Sequence, residues 1–204
     1  MAFASGAGPT RLVQTPPGPW CNDRSMQIPE PVHENAAEPV VLVVMGVSGC
    51  GKTTVAALLA DRLGWPFEEG DALHPQANID KMAAGHPLND DDRWPWLEKV
   101  AQWVGERLDR RENGVITCSA LKRSYREVIN RRGSGVEFVF LAGTQETIAA
   151  RLASRHGHFM PPELLASQFA ALEEPGPDEP GARFDIGPAP ADIAWNIIDT
   201  LGLA

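Results

Sequence analysis

One stretch constrains this chain more than any other: Gly46-Val47-Ser48-Gly49-Cys50-Gly51-Lys52-Thr53. Four apolar residues, Val41 to Val44, run into it, and an alanine- and leucine-rich stretch, Val55 to Leu63, follows it. The order is therefore strand, glycine turn, helix. The stretch fits G-x-x-x-x-G-K-[ST] at every fixed position, the spacing of a phosphate-binding loop. Glycines let the backbone curl until consecutive N–H groups point inward at a polyphosphate. The helix opening at Lys52 aims its positive end at the same place. Lys52 is placed to reach the β- and γ-phosphates, and the Thr53 hydroxyl to ligate Mg²⁺. Gly46 to Thr53, with Thr54 beside them, are thus the candidate nucleotide contacts.

Length and composition narrow the rest. A chain of 204 residues, 43% hydrophobic, has enough apolar material for one core plus a tail. Its net charge of −9 comes without a clustered basic face. The pairs Arg110-Arg111 and Arg131-Arg132 read as solvated helix ends, so a nucleic-acid partner is not expected. Three cysteines without a C-x-x-C pair suggest neither a disulfide frame nor a zinc site. They suit a reducing, cytoplasmic setting. No run of 18 apolar residues suggests a membrane span.

Residues 1 to about 38 differ from the remainder. They carry Pro9, Pro16, Pro17, Pro19, Pro29 and Pro31 among small and polar residues, without helical or strand period. The reading is a disordered, proline-rich extension that is neither a signal nor a transit peptide. From residue 39 to 204, strands alternate with helices. Strands are expected at Val41–Val44, Trp65–Glu69, Val115–Cys118, Val136–Leu141 and Ala182–Ile186. Helices are expected after the glycine turn, over Ala77–Ala84, Trp94–Arg110, Lys122–Asn130, Thr144–Arg155, Glu163–Leu172 and Ala191–Leu201. That alternation means an α/β fold with a parallel sheet.

Several polar groups fall where such sheets bind ligands, beyond the strand carboxyl ends. Asp71, after the second strand, is the first choice for a carboxylate that orients an acceptor hydroxyl and takes its proton. Asp90, Asp91 and Asp92 form a polar loop; a helix cap, a water-mediated Mg²⁺ contact or plain solvation all remain open. Arg93 either forks onto a substrate carboxylate or pairs back to that loop. Lys122 and Arg126 share a helix face at i, i+4, which invites an anion between them. Arg151 and Arg155 precede a break at Gly157 to Pro162 and are placed to close over a transferring phosphoryl group. His156 and His158 have no third ligand near in sequence, so metal binding there is not expected.

Taken together, five segments resemble one family. They are Gly46–Thr53; Gly70-Asp71-Ala72-Leu73-His74-Pro75; Asn89–Arg93 with Pro95-Trp96-Leu97; Cys118–Lys122 with Tyr125-Arg126; and His158-Phe159-Met160 with Ser167-Gln168-Phe169. In this order they are similar to the small gluconokinases, from about Val40 to the C-terminus. The resemblance implies a three-layer P-loop NTPase fold: a five-stranded parallel sheet flanked by helices, plus a small helical lid at about 151–165. It implies transfer of the γ-phosphoryl group of ATP, with Mg²⁺, to the terminal hydroxyl of D-gluconate. Lys52, Asp71 and Arg155 are then the catalytic candidates. Arg151 joins the nucleotide contacts. Asp71, His74, Asn89, Arg93, Ser119, Lys122, Arg126 and His158 are the substrate candidates, and a homodimer is implied. Cys50 departs from the family, which commonly has a small residue such as serine there. Its side chain is expected to point away from the phosphates, with oxidation of the thiol a possible block to ATP. Another small-molecule kinase of the same fold is the nearest alternative. A GTPase switch is disfavoured because the sequence has no N-K-x-D.

Overall fold

A computed structural model describes residues 38–154 and 162–203. The proline-rich extension before residue 38, and Arg155, His156 and His158 of the expected lid, lie outside the described residues.

The chain forms β1 (Val41–Met45), α1 (Lys52–Leu63), β2 (Phe67–Glu68), α2 (Gln76–Ala83), α3 (Asp90–Asp109) and β3 (Gly114–Thr117). It continues as α4 (Arg123–Ile129), β4 (Val136–Ala142), α5 (Gln145–Ser154), α6 (Pro162–Ala171), β5 (Gly181–Asp185) and α7 (Pro190–Thr200). The strands make one parallel sheet in the order β2-β3-β1-β4-β5. Val41 pairs with Gly114 on one side and Val136 on the other, so β1 is central.

All five residues of β1 have no exposed surface, because both faces of the sheet are covered. The period-2 alternation of a strand sends them to two layers. Leu42 and Val44 pack with Val55 and Leu59 of α1 and Ile193 and Ile197 of α7. Val41, Val43 and Met45 pack with Trp96, Leu97, Val100 and Val104 of α3 and Tyr125 and Ile129 of α4. This is the expected three-layer α/β sandwich. The crossovers from β1 and β3 lead to opposite sides of the sheet centre, which opens a crevice at the carboxyl ends of these strands.

Two expectations need correction. The long helix starts at Asp90 rather than Trp94, so the three aspartates form its first turn and not a loop. Asn89 is the N-cap: its side chain accepts from the Asp92 N–H at 2.9 Å, and the Asp92 carboxylate accepts from the Asn89 N–H at 2.8 Å. That reciprocal box, with acids at the positive helix end, outweighs the local loop character of the sequence.

The second correction concerns Arg126. Arg126 and Lys122 each pair with a different carboxylate of the chain, Glu179 and Asp90, rather than facing one another across a shared gap. The Arg126 guanidinium is buried, forked onto Glu179 at 2.5 and 2.8 Å, and bonded to the carbonyls of Ala120 and Glu173 at 3.0 and 2.9 Å. Arg126 thus pins the acidic, proline-rich segment 173–180 to α4, and its bond holds the Glu179 carboxyl below the usual carboxylate range. Removing one partner of such a pair strands a buried charge, at a cost of about 3–5 kcal/mol. Arg126→Ala should therefore lower the urea midpoint strongly. A variant of wild-type stability with a raised KM for an anionic substrate would return Arg126 to a binding role. Because the Glu179 pKa is depressed, the pair stabilises the fold above the ordinary glutamate range, and that contribution is lost as the pH falls below it.

Candidate active site

The phosphate-binding loop leaves β1 at the crevice. Its shape requires glycine at two places in particular. Gly49 has φ of +86°, and a Cβ there would sit 2.8 Å from Leu152. At Gly46, φ is +135° and a Cβ would sit 2.8 Å from the carbonyl oxygen of Leu141. Lys52 folds back over the loop and donates to the carbonyls of Gly46 and Val47 at 3.1 and 3.3 Å. The Gly46 N–H donates to the carbonyl of Ser119, which ties the loop to the end of β3. Thr53 is exposed in the first turn of α1, a position that suits a hard oxygen ligand for Mg²⁺.

Cys50 departs from the loop surface and packs into the core beside Val47 and Val55. Burial pushes its thiol pKa up, so the reactive thiolate is scarce and the expected oxidation has no structural support.

Beside the loop lies a cavity of about 230 Å³, lined by Gly49, Cys50, Gly51, Thr54, Arg151, Ser154, Pro190 and Ile193. Arg151 is held there by a 2.5 Å bond from Nη2 to the carbonyl of Ile186. The structure therefore brings Thr54 and Arg151 to the same cavity as the loop. A guanidinium, a proline ring and apolar walls suit a flat heterocycle.

On the acceptor side, Asp71 is exposed in a 3-10 turn, Gly70–Leu73. The turn is gripped at Gly70 from two directions. The Gly70 N–H donates to the Thr117 hydroxyl at 3.0 Å, and the Trp96 indole N–H donates to the Gly70 carbonyl at 2.7 Å. The Thr117 hydroxyl in turn donates to the Glu69 carboxylate. A Cβ at Gly70 would lie 1.9 Å from the Thr117 carbonyl oxygen, so only glycine allows this approach. Just past β3, Cys118 is fully buried, and that burial pushes its thiol pKa up to about 12. The phosphate loop is tied to Ser119 and the Asp71 turn to Thr117, so both lie at the carboxyl end of β3.

His74 is not presented to solvent. It is buried and stacked on Trp96, with ring centroids 4.2 Å apart, and Asn78 Nδ2 lies 3.3 Å from its Nδ1. Desolvation lowers its pKa, with Asp71 opposing. Asn89 is occupied as the α3 cap.

Arg93 and Lys122 gather around Asp90. Lys122 Nζ reaches both Asp90 oxygens at 2.8 Å, the Tyr125 hydroxyl donates to Asp90 at 2.6 Å, and Arg93 Nη1 donates to the Tyr125 oxygen at 3.4 Å. The bond from Lys122 comes first among the causes that hold the Asp90 carboxyl below its usual range. Of the other described substrate candidates, Arg126 is turned into its pair with Glu179, His74 is stacked on Trp96 and Asn89 caps α3.

The sequence reading missed the positioning roles of Thr117, Tyr125 and Trp96. Trp96 is fully buried in the core, and it also carries the hydrogen bond that places Asp71. A buried indole needs a partner for its N–H, and that need was the available signal.

Two outcomes follow from burial. Cys50 in the native protein should resist iodoacetamide at pH 8 and react only on unfolding; rapid native alkylation would contradict its place in the core. His74, followed by NMR, should titrate below the usual 6.5. Neutral His74 then favours the fold above that pH, with the contribution lost on acidification. A midpoint above 6.5 would mean that Asp71 outweighs burial.

Comparison with known proteins agrees with this arrangement. Residues 41–175 match the model of an AAA domain family. A gluconokinase from Gluconobacter oxydans is 56% identical over 146 residues, covering 72% of this chain and 82% of that protein. The crystal structure of a gluconokinase from Sinorhizobium meliloti superposes with a TM-score of 0.74 at 46% identity, covering 81% of this chain and 93% of that one. An unliganded sugar kinase from Janibacter sp. gives a TM-score of 0.76 at 46% identity, covering 81% and 96%. With a phosphate loop, a base-sized cavity and an anchored acidic turn at one sheet end, this chain belongs to the gluconokinase family of P-loop kinases.

Proposed function

We propose that the protein transfers the γ-phosphoryl group of ATP to the terminal hydroxyl of D-gluconate, giving 6-phospho-D-gluconate and ADP. The carrying observation is that the phosphate loop and the clamped Asp71 turn are both tied to the carboxyl end of β3, at Ser119 and Thr117. The 40–56% identity to proteins named gluconokinase and probable gluconokinase supports the choice of acceptor.

The base of ATP fits the cavity between Arg151 and Pro190, and its phosphates follow the loop from Gly49 to Lys52. Lys52 leaves its resting carbonyl partners and takes the β- and γ-oxygens. The Thr53 hydroxyl would hold Mg²⁺, which would supply charge neutralisation to the polyphosphate. Asp71 accepts a hydrogen bond from the sugar hydroxyl, orients it in line and receives its proton late in transfer. No covalent intermediate is involved. Arg93 takes the gluconate carboxylate, with Asn89, Ser119 and Lys122 serving the hydroxyls. The Asp90 carboxylate keeps Lys122 from carrying an unpaired charge in that set. His74 supports the turn as a neutral ring more than it contacts substrate. Arg126 leaves the substrate set. Arg155 and His158, outside the described residues, remain the candidates that close over the phosphoryl group. The working form is a cytoplasmic homodimer without nucleic acid or membrane partner.

The product itself tests the regiochemistry. A phosphate on a primary carbon couples to two protons, so its ³¹P signal is a triplet; a secondary ester gives a doublet and would overturn the terminal-hydroxyl assignment. Lys52→Ala and Asp71→Asn should each lower kcat by about 10²-fold or more. Near-normal turnover in Asp71→Asn would remove the base assignment.

A further inference from the structure

Gln168 occupies a position where a glutamine is out of place. On α6, Leu165 is buried in the core and Phe169 packs against it, as does Leu172 one residue past the helix end. Residues 165, 168, 169 and 172 follow the i, i+3, i+4, i+7 spacing of a core-facing stripe. A polar side chain in such a stripe needs a partner. Its partner is the phosphate loop: the Ser48 N–H donates to Gln168 Oε1 at 2.7 Å, across 120 residues of sequence. This is an amide of the loop whose N–H groups serve a polyphosphate, held instead by a side chain from another element.

The place of Ser48 in the loop gives the bond its meaning. The cavity that suits the base opens on Gly49, Gly51 and Thr54. Ser48 lies on the opposite limb, which returns to β1. Its neighbour Val47 borders a separate hollow shared with Phe169 and Leu172. A nucleotide with its base in the first cavity therefore carries its terminal phosphoryl group toward the Ser48 limb, where Lys52 and the tie to Ser119 also lie.

We infer that Gln168 is a positioning residue that sets the terminal-phosphoryl limb of the phosphate loop, and so lets the site distinguish a nucleoside triphosphate from a diphosphate. The inference rests on the kinase reading given above. It assigns no chemical step to Gln168, which acts through Ser48.

The test uses the full chain with two variants, Gln168→Leu and Gln168→Glu. Leucine suits the apolar stripe but cannot accept from Ser48. Its melting temperature should match wild type, and ADP affinity should stay within about twofold. Affinity for the non-hydrolysable analogue AMPPNP, and kcat, should each fall about tenfold, the worth of one hydrogen bond near a charged group. The KM for gluconate should not move. Glutamate keeps an acceptor for Ser48 but places a negative charge beside that limb, so it should weaken AMPPNP more than ADP. Equal weakening of both nucleotides, or wild-type kinetics in Gln168→Leu, would overturn the inference. If Gln168→Leu does not fold, the AMPPNP-to-ADP ratio in Gln168→Glu decides it. The binding arms need no acceptor, so they stand apart from the kinase reading. Failure of the wild-type enzyme to turn over gluconate would strike that reading alone.

Discussion

Complete burial of β1 between β3 and β4 is the constraint on which the structure depends. Its five residues are closed off on both faces, so the chain leaves the sheet at one defined point and in one direction. The glycine loop starts there and α1 begins immediately after it. Loop amides and the positive end of α1 thus converge without any dedicated side chain. The neighbouring strands end at the same level. β3 delivers Thr117, Cys118 and Ser119 to the crevice, and the turn after β2 delivers Asp71.

Rigid placement of Asp71 depends on a second set of contacts. The turn that carries it lies outside the sheet and would be free to shift. Trp96 and Thr117 remove that freedom by holding the carbonyl and N–H of Gly70 from α3 and β3. Trp96 thereby joins the hydrophobic layer to the site: its ring fills the core, its N–H holds the turn, and His74 stacks on its face. Packing and chemistry share one side chain, which explains why a buried tryptophan lies so near a polar crevice. The Asp90–Lys122–Tyr125 cluster does the same for α3 and α4, joining two helices through a carboxylate whose charge is met by an ammonium and a phenol.

Much of this was legible in the sequence, for physical reasons. The loop spacing, the apolar runs beside it and the alternation of elements are local signals, and they mark out the sheet, its helices and the glycine loop between β1 and α1. The position of Asp71 was legible because a polar residue after a short strand falls at the carboxyl end of a parallel sheet. What escaped was long-range. The i, i+4 pair Lys122 and Arg126 suggested a shared external anion, but each cation found a carboxylate of the chain itself, Asp90 and Glu179, 32 and 53 residues away. The aspartate run read as a loop from its polar composition, which the reciprocal bonds of Asn89 and Asp92 outweigh. Gln168 was visible only as part of a motif, since its partner Ser48 is 120 residues distant.

The most direct measurement of the central claim is a coupled assay of ADP release with Mg-ATP and D-gluconate, run beside shikimate, AMP, CMP and no acceptor. The account predicts strong turnover with gluconate alone. Turnover with a nucleotide acceptor would preserve the phosphate loop and its chemistry while contradicting the assignment of Asp71, Arg93 and Lys122 to a sugar acid. Tight ATP binding without turnover on any acceptor would contradict the kinase itself.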